Sequence, residues 1–386
     1  MNFEKEEYVS RCERLRGSLV ALGLKGIIVT RGVYMTYLTG APPQATDRPV
    51  IFVLPVQKDP ILLYPALDMG YYEKSTWVKD VRNWGPHDFP SVVPHSKMLA
   101  KILPEVSMSA GKIGIDIIPD SPLVSAIRSA LPRTEFSPCA TILAEMMAVK
   151  SPKEIEVMKL NAKYADYAYD AAMKHAKIGA NTLEVAMTAT ADTCRKLFAE
   201  VPELKIRAPP IAVDMGFGEE ANSCLHATWS ASHKITKGEL GRINPRCSIF
   251  NYTVLTGRPV VAGEPTTEQT KVIKAVWGAE KAAFEAMKPG RIVSEIHKIA
   301  KDFLKERGYN WLCRTGYELG LFGHGWGGLM MTEAVNRQLK ANMTWRLITG
   351  WWGRKDGGIQ CSDTILVTDE EPEFLTKYTH EPLVVS

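Results

Sequence analysis

The sequence has no long hydrophobic run, no excess of one charge and no basic tract, and each absence excludes a class of protein. No apolar stretch approaches the ~20 residues that span a bilayer, so no membrane partner is expected. Lys and Arg total 47 against 43 Asp and Glu, which does not favour a nucleic-acid partner. The segment MNFEKEEYVSRCERL lacks an apolar signal core, which favours a cytoplasmic protein.

The cysteines also exclude two kinds of architecture. All seven are scattered without CxxC spacing, which argues for reduced thiols in a cytoplasm and against a zinc ribbon or a disulfide framework. An apolar fraction of 45% with 23% charged residues is ordinary for a globular protein. A chain of 386 residues is too long for one ordinary core, so two domains are expected.

The character of the chain changes near residue 145. Over residues 1–145, short apolar segments such as GIIVT, PVIFVLP and PILLYP alternate with helical patterns, which predicts an α/β domain with a mixed sheet. Over residues 146–386, helix pairs are followed by strand pairs, roughly twice. Ser151 and Glu154 form a capping box with Pro152 at the first helical position, which predicts a helix start. The predicted fold class is therefore α+β.

One stretch, GRINPRCSIFNYTVLTGRP at residues 241–259, has the pattern of a β-hairpin around a polar turn, and it contains no carboxylate. Around it the segments AVKSPKEIEVMK, KITKGEL, VVAGEPTTEQTKVIKAV, GHGWGGL and GGIQCSDTILVTDEEPEFLT follow in the order found in the pita-bread proteins. That family includes Xaa-Pro aminopeptidases, prolidases, creatinase and ectoine hydrolase. The resemblance covers nearly the whole chain and implies a creatinase-type α/β N-terminal domain followed by a pita-bread C-terminal domain.

The resemblance also locates five metal-ligand positions. Pita-bread peptidases hold two divalent ions with two Asp, one His and two Glu, a ligand set that makes a bridging water acidic enough to attack an amide. By the matching motifs, these positions fall on Asn244, Leu255, His324, Ile348 and Ser362. Four of the five ligands are gone, and a lone histidine cannot hold a metal pair. We therefore expect no metal and no other cofactor.

Creatinase and ectoine hydrolase also lack the metals, and both keep a histidine upstream of the hairpin that matches His226. In creatinase this histidine is the general acid/base, because a group of near-neutral pKa must take a proton from water and pass it to the leaving nitrogen. His226 and His324 are the predicted catalytic residues. Two alternatives remain. His226 is then an unused peptidase feature, and His324 is a former ligand that is hydrogen-bonded within the pocket. His233 is a rival for the acid/base, since the spacing from His226 to Gly238 is one residue longer than the family pattern.

The predicted substrate is anionic. The glutamates with which creatinase grips its guanidinium fall on Gly257 and Ile348, so a guanidinium substrate would lack its counter-charge. Four arginines gather around the same strands, and an arginine cluster without acids favours an anionic small molecule. They are Arg242, Arg246, Arg258 and Arg346. Arginines that snorkel to the surface or pair with structural acids are the alternative.

The substrate-binding residues that we predict are Arg48, Asn244, Tyr252, Arg258 and Arg346. Arg48 comes from ATDRPVIFVLP, which resembles the creatinase stretch whose arginine reaches a partner subunit's site to hold the substrate carboxylate. The resemblance thus implies a homodimer with Arg48 contributed in trans. Alternatively, Arg48 is a loop residue that starts a strand.

These observations predict a metal-independent hydrolase that cleaves a C–N bond, of amide or amidine type, in a small carboxylate-bearing or otherwise anionic compound. A lyase or other non-hydrolytic enzyme that uses the same pocket is one alternative. A catalytically inactive binding module, like the metal-less pita-bread domain of a histone chaperone, is another. The Xaa-Pro metallopeptidase activity usual for the fold is disfavoured by the lost ligands.

Overall fold

The computed structural model describes residues 3–42, 48–85, 95–117, 122–204, 206, 209–223, 229–310, 313–324 and 329–386, with the backbone alone at 324. The chain forms two compact units, Asn2–Met147 and Ala148–Ser386. Among the helices of the described ranges, none is both long enough and apolar enough to cross a membrane.

The first unit is built on a mixed six-stranded sheet. Its elements are α1 (Lys5–Ala21), β1 (Gly26–Val29), α2 (Gly32–Thr39), β2 (Ile51–Pro55), β3 (Ile61–Pro65), β4 (Asp80–Trp84), α3 (His95–Glu105), β5 (Gly111–Ile115), α4 (Pro122–Ala130), β6 (Thr134–Pro138) and α5 (Ala140–Ala148). The strand order is β4-β3-β2-β1-β5-β6, with β1 antiparallel to β2 and parallel to β5. Strands β1, β2 and β3 are buried throughout, because their apolar residues form the centre of the core. The mixed sheet predicted from these apolar segments is confirmed.

The second unit contains two helix pairs and two sheets. Its elements are α6 (Pro152–His175), α7 (Thr182–Glu200), β7 (Ile211–Phe217), β8 (Leu240–Ile249), β9 (Tyr252–Leu255), β10 (Arg258–Ala262), α8 (Thr267–Glu285), α9 (Val293–Lys305), β11 (Gly316–Gly320), β12 (Gly323–His324), β13 (Met330–Met331), β14 (Thr344–Trp351), β15 (Ile359–Leu366), β16 (Glu373–Phe374) and β17 (Leu383–Val385). One sheet has the order β17-β10-β8-β7 with β9 paired to β8, and the other has the order β12-β11-β14-β15-β16 with β13 paired to β11. The predicted order of helix pair and strands, repeated twice, is confirmed.

Two features predicted from short stretches of sequence, the capping box and the hairpin, are present. The capping box is present, since the Ser151 side chain accepts from the Glu154 amide and the Glu154 carboxylate accepts from the Ser151 amide. The predicted hairpin is β8–β9, whose turn residues Phe250 and Asn251 have φ of 53° and 65°. Asparagine is among the residues that adopt this left-handed conformation most readily.

The cysteines agree only partly with the sequence prediction. Five of them are free thiols in the structure, and all five are buried. Cys313 is disulfide-bonded, which corrects the expectation that every cysteine is reduced.

Candidate active site

Strand β8 turns two buried polar side chains to the same face. Residues two apart in a strand point to one side, and Arg242 and Asn244 are 0% and 4% exposed. Arg242 Nη1 donates to the Ser223 carbonyl oxygen at 2.6 Å, and Asn244 Nδ2 donates to Gln360 Oε1 at 3.1 Å. Among the described residues, no hydrogen-bond partner is found for Arg242 Nε, Arg242 Nη2 or Asn244 Oδ1. Three buried polar atoms on one strand face are thus left unused.

Asn244 meets Ser362 at Gly257. The amide of Gly257 donates to the Ser362 carbonyl oxygen at 2.7 Å, and the Ser362 amide donates back at 3.0 Å. A β-carbon at position 257 would lie 2.4 Å from Asn244 Oδ1 and 2.8 Å from Ser362 Oγ. Ser362 is also opposite Ile348 in the β14–β15 register. Positions 244, 348 and 362, which the resemblance matches to metal ligands, therefore lie close together, and at Gly257 the packing is too tight for a β-carbon.

Arg346 brings a buried positive charge to this place. Its Nε and Nη2 donate to Ser362 Oγ at 3.2 and 2.8 Å, and its Nη1 donates to the Tyr317 hydroxyl at 2.9 Å. The side chain is 7% exposed, and no carboxylate of the described residues forms an ion pair with it. A hydroxyl oxygen has two lone pairs, so the two bonds from Arg346 leave Ser362 Oγ little capacity to bind a cation.

Arg242 and Arg346 are close enough to repel each other. The pKa of Arg242 is lowered to about 10, chiefly by burial, while the Asp214 carboxylate raises it and the Arg346 guanidinium lowers it. Asp214 lies opposite Asn244 in the β7–β8 register. Because a pKa of about 10 leaves Arg242 protonated at neutral pH, the site holds two buried positive charges.

Glu280 on α8 does little to balance them. Burial and repulsion from the Asp363 carboxylate raise its pKa to about 8, although Arg258 and Arg346 act in the opposite direction. The side chain is fully buried, and the Cys361 thiol is the group close enough to interact with its carboxyl. Burial thus favours the neutral form of this carboxyl, which weakens its compensation of the Arg346 charge.

Arg258, predicted to bind substrate, is instead a scaffold residue. Its Nη2 donates to Asp363 Oδ1 at 2.9 Å, and both side chains are 0% exposed. Its Nη1 donates to the carbonyl oxygens of Gly257 and Ser362 at 2.9 and 3.1 Å, and its Nε to that of Thr379 at 2.7 Å. These contacts occupy the guanidinium, so Arg258 fixes the backbone on which the site stands.

Tyr252, also predicted to bind substrate, makes a buried contact within the protein. It is 1% exposed, and its hydroxyl donates to Glu154 Oε1 at 2.7 Å, which ties the hairpin to the first turn of α6. Its hydroxyl thus serves the fold and is not joined to Asn244 and Arg346.

Replacing Tyr252 with phenylalanine tests this assignment. The change removes one buried hydrogen bond to a carboxylate, so we expect the free energy of unfolding to fall by about 1–3 kcal/mol. Turnover of a substrate, once one is known, should not change. Urea denaturation followed by circular dichroism measures the first quantity. A fully stable variant with a much higher KM would restore Tyr252 to the substrate-binding set.

The predicted catalytic histidines are not placed by their side chains. His226 lies outside the described residues. His324, in β12, is placed by its backbone alone and lies opposite Leu319 of β11. The rival His233 has its Nε2 3.4 Å from a carboxylate oxygen of Glu239. Arg48 is half-buried ahead of β2 in the first unit, and its role in trans stays a prediction.

The sequence prediction missed three contributors to this site. Arg242 was noted among the arginines but left out of the binding set, although its spacing of two from Asn244 could have included it. Gln360 could have been found in the same way, since it lies two residues before Ser362. Tyr317 could not, because its place depends on the pairing of β11 with β14, where it lies opposite Arg346.

A groove of 630 Å³ between α7 and β7 lies apart from these residues. Its lining is almost wholly apolar and includes Met187, Phe198 and Trp229. Its polar atoms are used within the protein: Thr190 Oγ1 accepts from the Val213 amide, and Trp229 Nε1 donates to a backbone carbonyl. Among the described lining residues, the only titratable side chain is the Cys194 thiol, whose pKa is raised by burial, so this part of the groove offers little for acid–base chemistry.

The pair of divalent ions implied by the resemblance does not fit these residues. The former ligand positions at 244, 255, 348 and 362 supply one amide and one hydroxyl, and that hydroxyl already accepts from Arg346. A guanidinium beside the site repels a second cation. Within the described residues, no cluster of three or more His, Cys, Asp or Glu side chains is suited to a metal.

Comparisons with known proteins agree on the family. A model of the Creatinase/Prolidase N-terminal domain matches residues 11–149, and a model of Metallopeptidase family M24 matches residues 156–369. The Xaa-Pro dipeptidase of Pyrococcus furiosus is 28% identical over 252 residues, which cover 64% of this chain and 69% of the relative. The ectoine hydrolase of Halomonas elongata is 23% identical over 99% of this chain and 98% of its own. The crystal structure of dipeptidase PepE from Mycobacterium ulcerans has a TM-score of 0.82 at 21% identity, over 100% of both chains.

Proposed function

Because the chain belongs to Metallopeptidase family M24, with the pita-bread fold, we propose that it is a hydrolase that cleaves a C–N bond without a metal ion. The observation that carries the proposal is the bond from the Arg346 guanidinium to Ser362 Oγ, which puts a fixed cation beside a former metal-ligand position. The buried charges of Arg242 and Arg346 favour a small substrate that bears a carboxylate or another anionic group.

The proposed reaction adds water across the scissile bond. The water oxygen bonds to the carbon, the C–N bond breaks, and one water proton leaves on the nitrogen. His226 is the general acid/base that takes this proton and delivers it, a role that contributes roughly 10²–10⁴-fold to the rate. Asn244, Arg346 and His324 hold the scissile group, and the guanidinium stabilises negative charge that develops there.

The proposal includes a homodimer in the cytoplasm, with Arg48 contributed in trans to hold substrate charge. It treats the chain as a creatinase-like enzyme. Among the relatives named above, the ectoine hydrolase supports hydrolysis of a small molecule, and its similarity covers 99% of this chain. The Xaa-Pro dipeptidase supports C–N hydrolysis in general.

The first test is elemental analysis of the purified protein together with two assays. One assay measures amine or ammonia release from small carboxylated amides and amidines with and without EDTA. The other measures cleavage of Ala-Pro with and without added Mn²⁺ or Co²⁺. We expect metal content far below one ion per chain, EDTA-insensitive release from a member of the first panel, and no dipeptide cleavage.

The opposite pattern refutes the proposal. Near-stoichiometric metal with metal-stimulated cleavage of Ala-Pro would mean that the residues at 244, 255, 348 and 362 are not the ligand positions. The peptidase function would then apply.

A further inference from the structure

The unpaired atoms of Arg242 and Asn244 are costly unless something binds them. A buried donor or acceptor without a partner costs about 1–3 kcal/mol, and more when it is charged. Arg242 leaves two such donors and Asn244 one such acceptor among the described residues, all on one face of β8. The Asp214 carboxylate favours the charged form of Arg242 but accepts no hydrogen bond from Nε or Nη2, so these two donors are available to a ligand.

We propose that Arg242 and Asn244 form a subsite for a carboxylate that has an N–H donor close by. The inference rests on the proposed function, whose substrate class it narrows. The molecules that fit are small N-acyl or N-amidino acids with a secondary nitrogen, in which the carboxylate and the N–H are a few bonds apart.

The guanidinium of Arg242 is oriented for this role. Its Nη1 is anchored on the Ser223 carbonyl oxygen at 2.6 Å, which fixes the plane of the group. The unused Nε and Nη2 form one edge of that plane, with two parallel N–H bonds. This edge matches the two oxygens of a carboxylate, and such bidentate pairs are the strong ones.

The amide of Asn244 supplies the second half of the pattern. Its Nδ2 is held by Gln360 Oε1 at 3.1 Å, which leaves Oδ1 as the acceptor. Oδ1 faces Gly257, where a β-carbon would lie only 2.4 Å away, so only a glycine at this position leaves the acceptor uncovered. Strand geometry puts the Cα atoms of residues 242 and 244 about 7 Å apart, which lets one small molecule touch both side chains.

Arg346 is then free for another part of the substrate. Three of its five N–H groups are used by Ser362 and Tyr317, and the other two are available to the carbonyl or imino group of the scissile bond. Arg242 would hold the carboxylate and Arg346 the reacting group, which gives the two buried cations separate tasks.

Binding of N-acetylglycine, measured by isothermal titration calorimetry, tests the subsite. Two analogues serve as probes: N-acetylglycinamide lacks the carboxylate, and N-acetylsarcosine lacks the N–H. We expect N-acetylglycine to bind more tightly than either. Arg242→Leu should weaken it by roughly ten- to a hundred-fold, as the loss of a charge-assisted pair predicts.

Arg246→Leu is the matched control, since it removes the same charge from the same strand at an exposed position. It should bind N-acetylglycine like the wild type. The circular dichroism spectrum of ligand-free Arg242→Leu should match that of the wild type. That result excludes misfolding as the reason for lost binding.

The subsite is refuted if N-acetylglycine does not bind the wild type, binds Arg242→Leu equally well, or binds no better than both analogues. The proposed function fails separately. Arg242-dependent binding with no metal-free hydrolysis of any panel compound would retain the subsite and refute the enzyme. Metal-free hydrolysis that is unaffected by Arg242→Leu would retain the proposed enzyme and refute the subsite.

Discussion

Replacing Asp363 with alanine is expected to lower the free energy of unfolding by about 3–5 kcal/mol, the cost of leaving a buried charge without its partner. Asp363 and Arg258 are both 0% exposed and are joined at 2.9 Å. Arg258 lowers the pKa of the Asp363 carboxyl against the effect of burial, and His380 assists. The carboxylate also accepts from Thr376 and His380, so its loss unsettles several contacts at once.

Urea denaturation of the wild type and Asp363→Ala measures this loss, with Arg195→Ala as the control. Arg195 is 73% exposed and pairs with Asp192, and exposed pairs contribute about 0–1 kcal/mol.

Glu280 moderates the loss of stability in Asp363→Ala, since without Asp363 its carboxyl can ionise and partly replace the lost charge. The double variant Asp363→Ala/Glu280→Gln should therefore lose more free energy of unfolding than the two single variants lose together. A loss below about 1 kcal/mol in Asp363→Ala would show that the pair is not a structural tie.

Replacing His226 with alanine is expected to reduce kcat by roughly 10²–10⁴-fold while the fold is retained. In the proposed reaction no metal-bound hydroxide takes part, so activation of water depends on a side chain. Single-turnover assays on the substrate found by the panel measure the loss, and circular dichroism checks the fold. His233→Ala is the matched control, because that histidine is beside Glu239 and bonded through its backbone to Asn181.

The pH dependence separates a catalytic role from a structural one. In the plot of kcat against pH, the rise or fall caused by titration of the acid/base should be absent in His226→Ala and present in His233→Ala. Unchanged turnover in His226→Ala, or a loss found only in His233→Ala, would assign the proton transfer to another residue.

Local signals explain which parts of the fold could be predicted. The capping box at Ser151 fixes a helix start within four residues, and the alternation around Asn251 fixes a hairpin. Both depend on neighbours in the chain, so the pattern is complete in a short stretch. The two-unit architecture followed from the order of such stretches and from the family resemblance.

Side-chain roles at the site depended on contacts that sequence does not display. Arg258 and Asp363 are 105 residues apart, and Tyr252 and Glu154 are 98 apart. Arg258 and Tyr252 were predicted to bind substrate because the partner of each lies in another element, far along the chain. Arg346 was placed correctly beside a former ligand position by strand alternation alone, but its bond to Ser362 required the β14–β15 register.

The packing around Gly257 has a consequence for the history of the site. A glutamate restored at position 362 would meet Arg346 and form an ion pair, so it would be neutralised before it could serve as a ligand. Any side chain at position 257 would collide with Asn244 and Ser362. Single substitutions at positions 257 and 362 therefore do not by themselves build a carboxylate cluster. A carboxylate at position 362 would first require the replacement of Arg346, and a side chain at position 257 would first require Asn244 and Ser362 to move.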